Sequence, residues 1–233
     1  MLLYWKGCMS RYRTKSIIEA IEKILSYLNI KYITLEDEGC CGSILYRTGQ
    51  IRDALKITEK NIEKFKSLGI KEIITSCPGC LRTISKDYSN YYNISFKIYH
   101  FSQFLLKFKE LLKLKELNAI VTYHDPCHLG RHVGVFDEPR EVLANIPGLK
   151  FIEFERTAHN AWCCGAGAGV MSGFPELARF AATERLKEAK GIGANYISST
   201  CPFCELNLKR AEDVAKLGIE IGDILQLLEK SLR

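Results

Sequence analysis

The chain has 233 residues, enough to bury a substantial core, and at 47% hydrophobic and 26% charged it has the composition of an ordinary globular protein. Its formal charge of +6 comes from lysines scattered along amphipathic segments, with no compact basic run interleaved with aromatics, which argues against a nucleic-acid binder. No stretch reaches the ~20 apolar residues of a membrane span.

The opening MLLYWKGCMSRYR is interrupted at Lys6 too soon for a signal peptide, so a cytoplasmic protein is expected. Thiols in that compartment are kept reduced, and ten cysteines there point to metal or redox chemistry rather than to disulfide staples.

In chain order, LLYWKGC (2–8) is a short β-rich run ending on Cys8, and helical periodicity follows over 14–28. KYITLEDEGCCG (31–42) reads as a strand and a loop closing on Cys40, Cys41 and Gly42. An amphipathic helix over 50–69 ends in glycine, and KEIITSCPGC (71–80) is a strand running into Cys77, Pro78 and Cys80. ISFKIYHF (94–101) is a fourth strand with a Leu-rich helix behind it. The series then begins again. AIVTYHDPC (119–127) ends on Cys127, and a shorter helix covers 137–146. KFIEFERTAHNAWCCG (150–165) closes on Cys163, Cys164 and Gly165, and a second amphipathic helix covers 174–193. NYISSTCPFC (195–204) ends on Cys201, Pro202 and Cys204, and IEIGDI (219–224) precedes the last helix.

Matching cysteines of the two series are separated by 119, 123, 123, 124 and 124 positions, which marks a tandem repeat over 1–118 and 119–233. Alternating strands and helices predict an α/β protein of two pseudo-twofold-related repeats. Each is a small parallel sheet of about four strands flanked by helices. Every cysteine group lies just past the end of a strand, the edge at which such sheets bind ligands and at which helix N-termini favour thiolate over thiol. The ten cysteines are therefore expected to face a shared crevice.

Buried thiols serving as small hydrophobes do not account for two matched sets of five. A tetrahedral zinc takes four ligands and is the rival reading, but five soft thiolates per set suit an iron–sulfur cluster better. Gly42 and Gly165 let the backbone turn tightly behind each cysteine pair. Pro78 and Pro202 stiffen the CxxC loops, and the amides of Gly165, Gly167 and Gly169 are candidate donors to sulfur. GAGAG is not the GxGxxG of a nucleotide site. His124, His128, His132 and His159 crowd the second half, where surface or capping roles compete with proton donation to a product thiolate by His128 or His159. Arg131 behind Cys127 and Arg11 behind Cys8 are candidates for binding an anionic group, and Tyr46 and Arg47 are further pocket candidates.

On these residues the chain resembles the CCG-domain (cysteine-rich domain) family, built on tandem Cx(31–39)CCx(35–36)CxxC. VTYHDPCHLGRHVGVFDEPREVL, WCCGAGAG and CPFC are similar to its heterodisulfide reductase branch. The resemblance implies two [4Fe–4S] clusters of a non-cubane type. One would be held by Cys8, Cys40, Cys41, Cys77 and Cys80, the other by Cys127, Cys163, Cys164, Cys201 and Cys204, with a small disulfide between them. Cleaving a disulfide takes two electrons and one cluster passes one at a time, so a pair of clusters suits a disulfide or heterodisulfide reductase. Iron rather than a free thiolate would take the substrate sulfur, unlike thioredoxin-type exchange. No ferredoxin run, dinucleotide fingerprint or flavin signature is present, so a ferredoxin-type iron–sulfur subunit and, upstream, a flavoprotein subunit are the expected partners. The alternatives are an electron-transfer iron–sulfur subunit of a 2-hydroxyacid (lactate or glycolate) or fumarate/quinone-linked dehydrogenase complex, and a zinc scaffold.

Overall fold

The computed structural model describes residues 1–233. In the first repeat, β1 (Leu2–Trp5) leads into α1 (Cys8–Tyr12) and α2 (Lys15–Tyr27). Helices α3 (Ser43–Arg47) and α4 (Ile51–Ser67) follow. Strand β2 (Glu72–Thr75) runs into α5 (Pro78–Arg82), which widens into a π turn at Thr83–Asp87, and β3 (Lys97–His100) runs into α6 (Phe101–Leu105). In the second repeat, β4 (Ala119–Tyr123), α7 (Gly130–Val133), α8 (Asp137–Ala144) and β5 (Leu149–Phe151) come first. Helices α9 (Val170–Gly173) and α10 (Pro175–Gly191), β6 (Tyr196–Ser199), α11 (Pro202–Ala215), β7 (Glu220–Asp223) and α12 (Ile224–Ser231) complete it. No helix is long and apolar enough to cross a membrane.

Both sheets are parallel, ordered β1-β2-β3 and β5-β4-β6-β7. The first sheet has three strands, because the strand expected within 31–42 is reduced to one bridge between Leu3 and Ile33. Tyr4 N–H donates to the Ile33 carbonyl and Ile33 N–H to that of Leu2, as β5 pairs with β4. The segment then turns away, and the Glu38 carboxylate accepts from the Lys6 and Gly7 amides instead of extending the ladder.

Alternation along the central strands distributes their side chains between opposite faces. Leu3 and Trp5 join a core cluster with Phe65 and Ile73, whereas Tyr4 joins one that spans both repeats. In the second repeat Ile197 packs with Phe154 and Leu186, and Tyr196 faces the shared cluster. Helix α2 buries Ile17, Ile18, Ile21, Ile24 and Leu25, one stripe at helical spacing, each worth ~1.5–3 kcal/mol relative to exposure. It packs against α12, while α6 packs against α8. Helices α2 and α8 follow the first strands of their repeats, and α6 and α12 the last. The two contacts therefore exchange under a twofold rotation, as an isologous interface requires.

His100 stands at this junction, fully buried. Its Nδ1 accepts from the Ser102 amide and caps α6, and Asp223 caps α12 in the same way. The His100 Nε2 lies 3.2 Å from the Ser76 carbonyl and 3.1 Å from that of Thr200. A carbonyl can only accept, so Nε2 carries the proton and is shared between the residues that immediately precede Cys77 and Cys201. Burial pushes the His100 pKa down to about 4, which keeps the ring neutral.

Candidate metal centre

All ten cysteines line one cleft that is partly open to solvent. None is in a disulfide. The approach is close: Cys164 Sγ lies 3.2 Å from Cys204 Sγ, and a ring nitrogen of His124 comes within 4.8 Å of both.

The thiols are not equivalent within a set. Hydrogen bonds from the Cys41 and Cys8 thiols, and from the Gly42 amide at 3.3 Å, hold the Cys40 pKa down to about 2. Those from Cys127, Cys164 and the Gly165 amide, again at 3.3 Å, do the same for Cys163. The donors are pushed up correspondingly. Cys77 is lowered by the Cys80 thiol and by the free amides of the helix it caps. Each set thus presents thiolate at the first cysteine of its pair, and such a donor set fits a soft, polynuclear metal group.

Local geometry explains the doubled cysteines. Gly42 and Gly165 both adopt φ +82°, which folds the chain back so that Cys41 and Cys164 are buried while Cys40 and Cys163 stay more open. At Gly165 a Cβ would come within 2.9 Å of the Ala178 carbonyl oxygen, so α10 leaves no room for one. A carboxylate pins each loop. Glu38 accepts from Lys6 N at 2.8 Å and Gly7 N at 2.7 Å, and burial raises its pKa to about 7. Asp125 accepts from Ala158 N and pairs with both terminal nitrogens of Arg140. Asn61 donates to the Cys40 carbonyl and Asn207 to that of Cys164.

The other residues singled out in the sequence divide between the cleft and its surroundings. His128 lines the cleft, edge-on to His132; burial, His132 and nearby arginines push its pKa down to about 4. His159 is exposed and packs on Phe136, outside the cleft. The Arg131 guanidinium donates to the carbonyls of Ala161 and His159 and does not line the cleft. Arg11 donates to the Glu38 carbonyl. Arg47 does line the cleft: its Nη2 pairs with Asp87 at 2.7 Å and its Nη1 has no partner. Tyr46 is directed into the core, bonded to Thr58. Gly167 lines the cleft, and Gly169 caps α9. The amide contacts to sulfur come from Gly42 and Gly165. Pro78 and Pro202 occupy the first turns of α5 and α11, where the missing N–H costs nothing.

Two features escaped sequence reasoning. Phe203, inside the second CxxC, lies in the cleft and packs against the cores of both repeats. Its counterpart Gly79 carries no side chain, and a Cβ there would be in ordinary contact with Ser43 and His128. The second feature is Arg185, fully buried in α10. An arginine on an otherwise apolar helix face was the available signal.

A model of the cysteine-rich domain, CCG, matches residues 2–85 and 121–209. The chain belongs to the cysteine-rich CCG domain family. It is 40% identical over 240 residues to the D subunit of the dihydromethanophenazine:CoB–CoM heterodisulfide reductase of Methanosarcina acetivorans, covering 99% of this chain and 59% of that protein. It is 35% identical over 227 residues to the B subunit of the fumarate reductase (CoM/CoB) of Methanothermobacter marburgensis, covering 97% and 45%. The CCG pair thus spans about half the length of these relatives. A hypothetical protein from Helicobacter pylori shares the fold, with a TM-score of 0.62 at 13% identity over 99% of this chain and 48% of that one.

Proposed function

We propose that the two CCG repeats hold two iron–sulfur clusters of the non-cubane [4Fe–4S] type and that the chain reduces a small disulfide in the cleft between them. The observation that carries this reading is the opening of ten cysteines from two repeats onto one cleft. Cys8, Cys40, Cys41, Cys77 and Cys80 form one ligand set, and Cys127, Cys163, Cys164, Cys201 and Cys204 the other. When bound, the clusters supply single electrons at the two walls of the cleft. Cleavage of the sulfur–sulfur bond then takes two electrons and two protons and releases two thiols. Support for the redox class comes from relatives named as reductase subunits.

The chain's own residues do the rest. Met9, Ile44 and Phe203 give the cleft apolar walls that exclude water from the reacting sulfurs. Arg47, which lines the cleft, offers a charge-assisted contact for an acidic substrate. His128 is the imidazole lining the cleft and, being neutral, relays a proton by releasing it from one ring nitrogen and regaining it at the other. A ferredoxin-type iron–sulfur protein, fed by a flavoprotein, is the proposed electron supply.

Anaerobic reconstitution followed by iron and acid-labile sulfide analysis should give ~8 of each per chain, two four-iron clusters. Zinc with no sulfide would refute the reading. A panel of small disulfides with reduced viologen as donor then tests the chemistry. Full cluster content without turnover on any of them would instead assign the chain to electron transfer within a hydroxyacid- or quinone-linked dehydrogenase complex.

A further inference from the structure

The two cysteine sets are related by the repeat, but their surroundings are not. Helices α4 and α10 are separated by 124 positions at both ends, the same separation as Cys77 and Cys201. At one matching position the first repeat has Asn61 and the second has Arg185. Three residues before the first cysteine of each set stand Trp5 and His124. The first set is thus backed by two neutral groups and the second by a cation and an imidazole, all of them buried.

Arg185 lies behind His124, which neighbours the second set. Its guanidinium stacks on the Phe154 ring at 3.3 Å, and its Nε lies 3.4 Å from His124 Nδ1. An arginine nitrogen can only donate, so Nδ1 is the acceptor and the proton of His124 is on Nε2. One imidazole therefore separates the cation from the cleft, where a ring nitrogen of His124, Cys164 Sγ and Cys204 Sγ all lie within 4.8 Å of one another. Arg185 Nη1 pairs with Glu188 at 2.5 Å, and Nη2 has no partner. Glu188 offsets part of the charge through Nη1, while Nε is the nitrogen turned to His124.

The remaining charges are divided between the repeats: Arg47, paired with Asp87, lines the cleft from the first, while the carboxylates behind the loops differ. Each repeat has one buried carboxylate pinning its loops. In the first, Glu38 has only backbone donors, while Arg11 reaches its carbonyl. In the second, Asp125 is neutralised by a bidentate Arg140. Glu205, beside Cys204, is paired with Lys209. A positive field and hydrogen bonds toward cluster sulfur stabilise the reduced, more negative state and raise its potential, most strongly in a buried site.

We infer that the two sites are redox-inequivalent, with the Arg185–His124 pair tuning the second site to accept an electron before the first. This inference rests on the two-cluster reading. A single electron from the donor then comes to rest at the set of Cys127, Cys163, Cys164, Cys201 and Cys204, and the next goes to the first set. The entry point is consistent with exposure, since Cys163 is the exposed cysteine of the ten.

The test is a dithionite titration of the reconstituted holoprotein followed by EPR, with iron content measured on the same samples. Wild type is expected to show two separated midpoints. Arg185→Met should lower the upper one by at least tenfold in the reduction equilibrium constant, about 59 mV for one electron, and leave the lower in place. Arg185→Lys should keep both. Glu188→Gln, a change at a partly exposed carboxylate, should move the upper midpoint in the opposite direction. That opposition of sign separates charge from mere packing, and it holds even if Arg185→Met does not fold. A single common midpoint in wild type with ~8 irons bound overturns the inference and leaves the two-cluster reading standing. So does an upper midpoint that ignores both Arg185→Met and Glu188→Gln. Iron sufficient for only one cluster overturns both.

Discussion

His100 ties the two cysteine loops together, and its replacement by alanine measures how much the junction of the repeats depends on one shared proton. The substitution strands two buried carbonyls, those of Ser76 and Thr200, at ~1–3 kcal/mol each when no other donor reaches them. It also removes the cap of α6, worth ~0.5–2 kcal/mol. Water entering the space left by the ring would recover part of this, so a net loss of ~3 kcal/mol is expected. The titration has a definite sign. His100 ionises near 6.5 when unfolded and at about 4 in the fold, so as pH falls the unfolded chain takes up the proton first. Its contribution is fully present above pH 6.5 and is lost as pH falls toward 4, by ~3 kcal/mol at most at 1.36 kcal/mol per pH unit. His124 and His128, lowered to about 3 and about 4, act in the same sense. His100→Ala should therefore be less stable at pH 7 and should lose less on acidification, though not nothing. Urea unfolding under anaerobic conditions, followed by far-UV circular dichroism from pH 7 to 5, checks both. A destabilisation below ~1 kcal/mol together with an unaltered pH profile would refute the bridging role.

Further expectations concern the cleft itself. Gly165→Ala forces a left-handed residue at ~1–2 kcal/mol and pushes a methyl group to 2.9 Å from a backbone oxygen of α10. Gly42→Ala has the same φ but meets nothing closer than 3.7 Å, so it should lose less stability and less iron; equal losses would remove the packing argument. Arg47→Gln should raise the KM for an acidic disulfide by about tenfold, a charge-assisted contact of ~1.5 kcal/mol, while Arg131→Gln should leave KM alone. Steady-state kinetics that reverse this order would place the anion site behind Cys127 instead. Cys163→Ser should halve the iron content of the holoprotein, from ~8 to ~4, without emptying the first set. Proportional loss from both sets would show that they do not load independently.

The cysteine repeat of this protein was legible in its sequence because cysteine is scarce and its spacing is discrete. Ten thiols at matched separations marked the repeat. The strand-to-cysteine runs placed each group at a sheet edge, and the amphipathic helix predicted over 50–69 is observed at Ile51–Ser67. The strand expected within 31–42 was the exception. Its hydrophobic pattern is sound, but the tertiary attraction of Glu38 for the Lys6 and Gly7 amides ends the pairing after one bridge.

Which charged side chains face the cleft was not legible. Arg131 and Arg47 each follow a cysteine motif by a few residues. A surface loop carbonyl claims the first, and only the second enters the cleft. Sequence position fixes where a side chain starts, and the partners within reach of its long flexible arm fix where it ends. The sequence by itself determined the repeat, the parallel sheets and the two matched sets of cysteines, because those follow from period and residue type. Only the tertiary structure decided that His100 joins the Ser76 and Thr200 carbonyls of the two repeats, that Phe203 lines the cleft and packs against both cores, and that Arg185 lies behind His124. Those depend on how two nearly equal halves dock, and docking is settled by contacts between residues that no local pattern brings together.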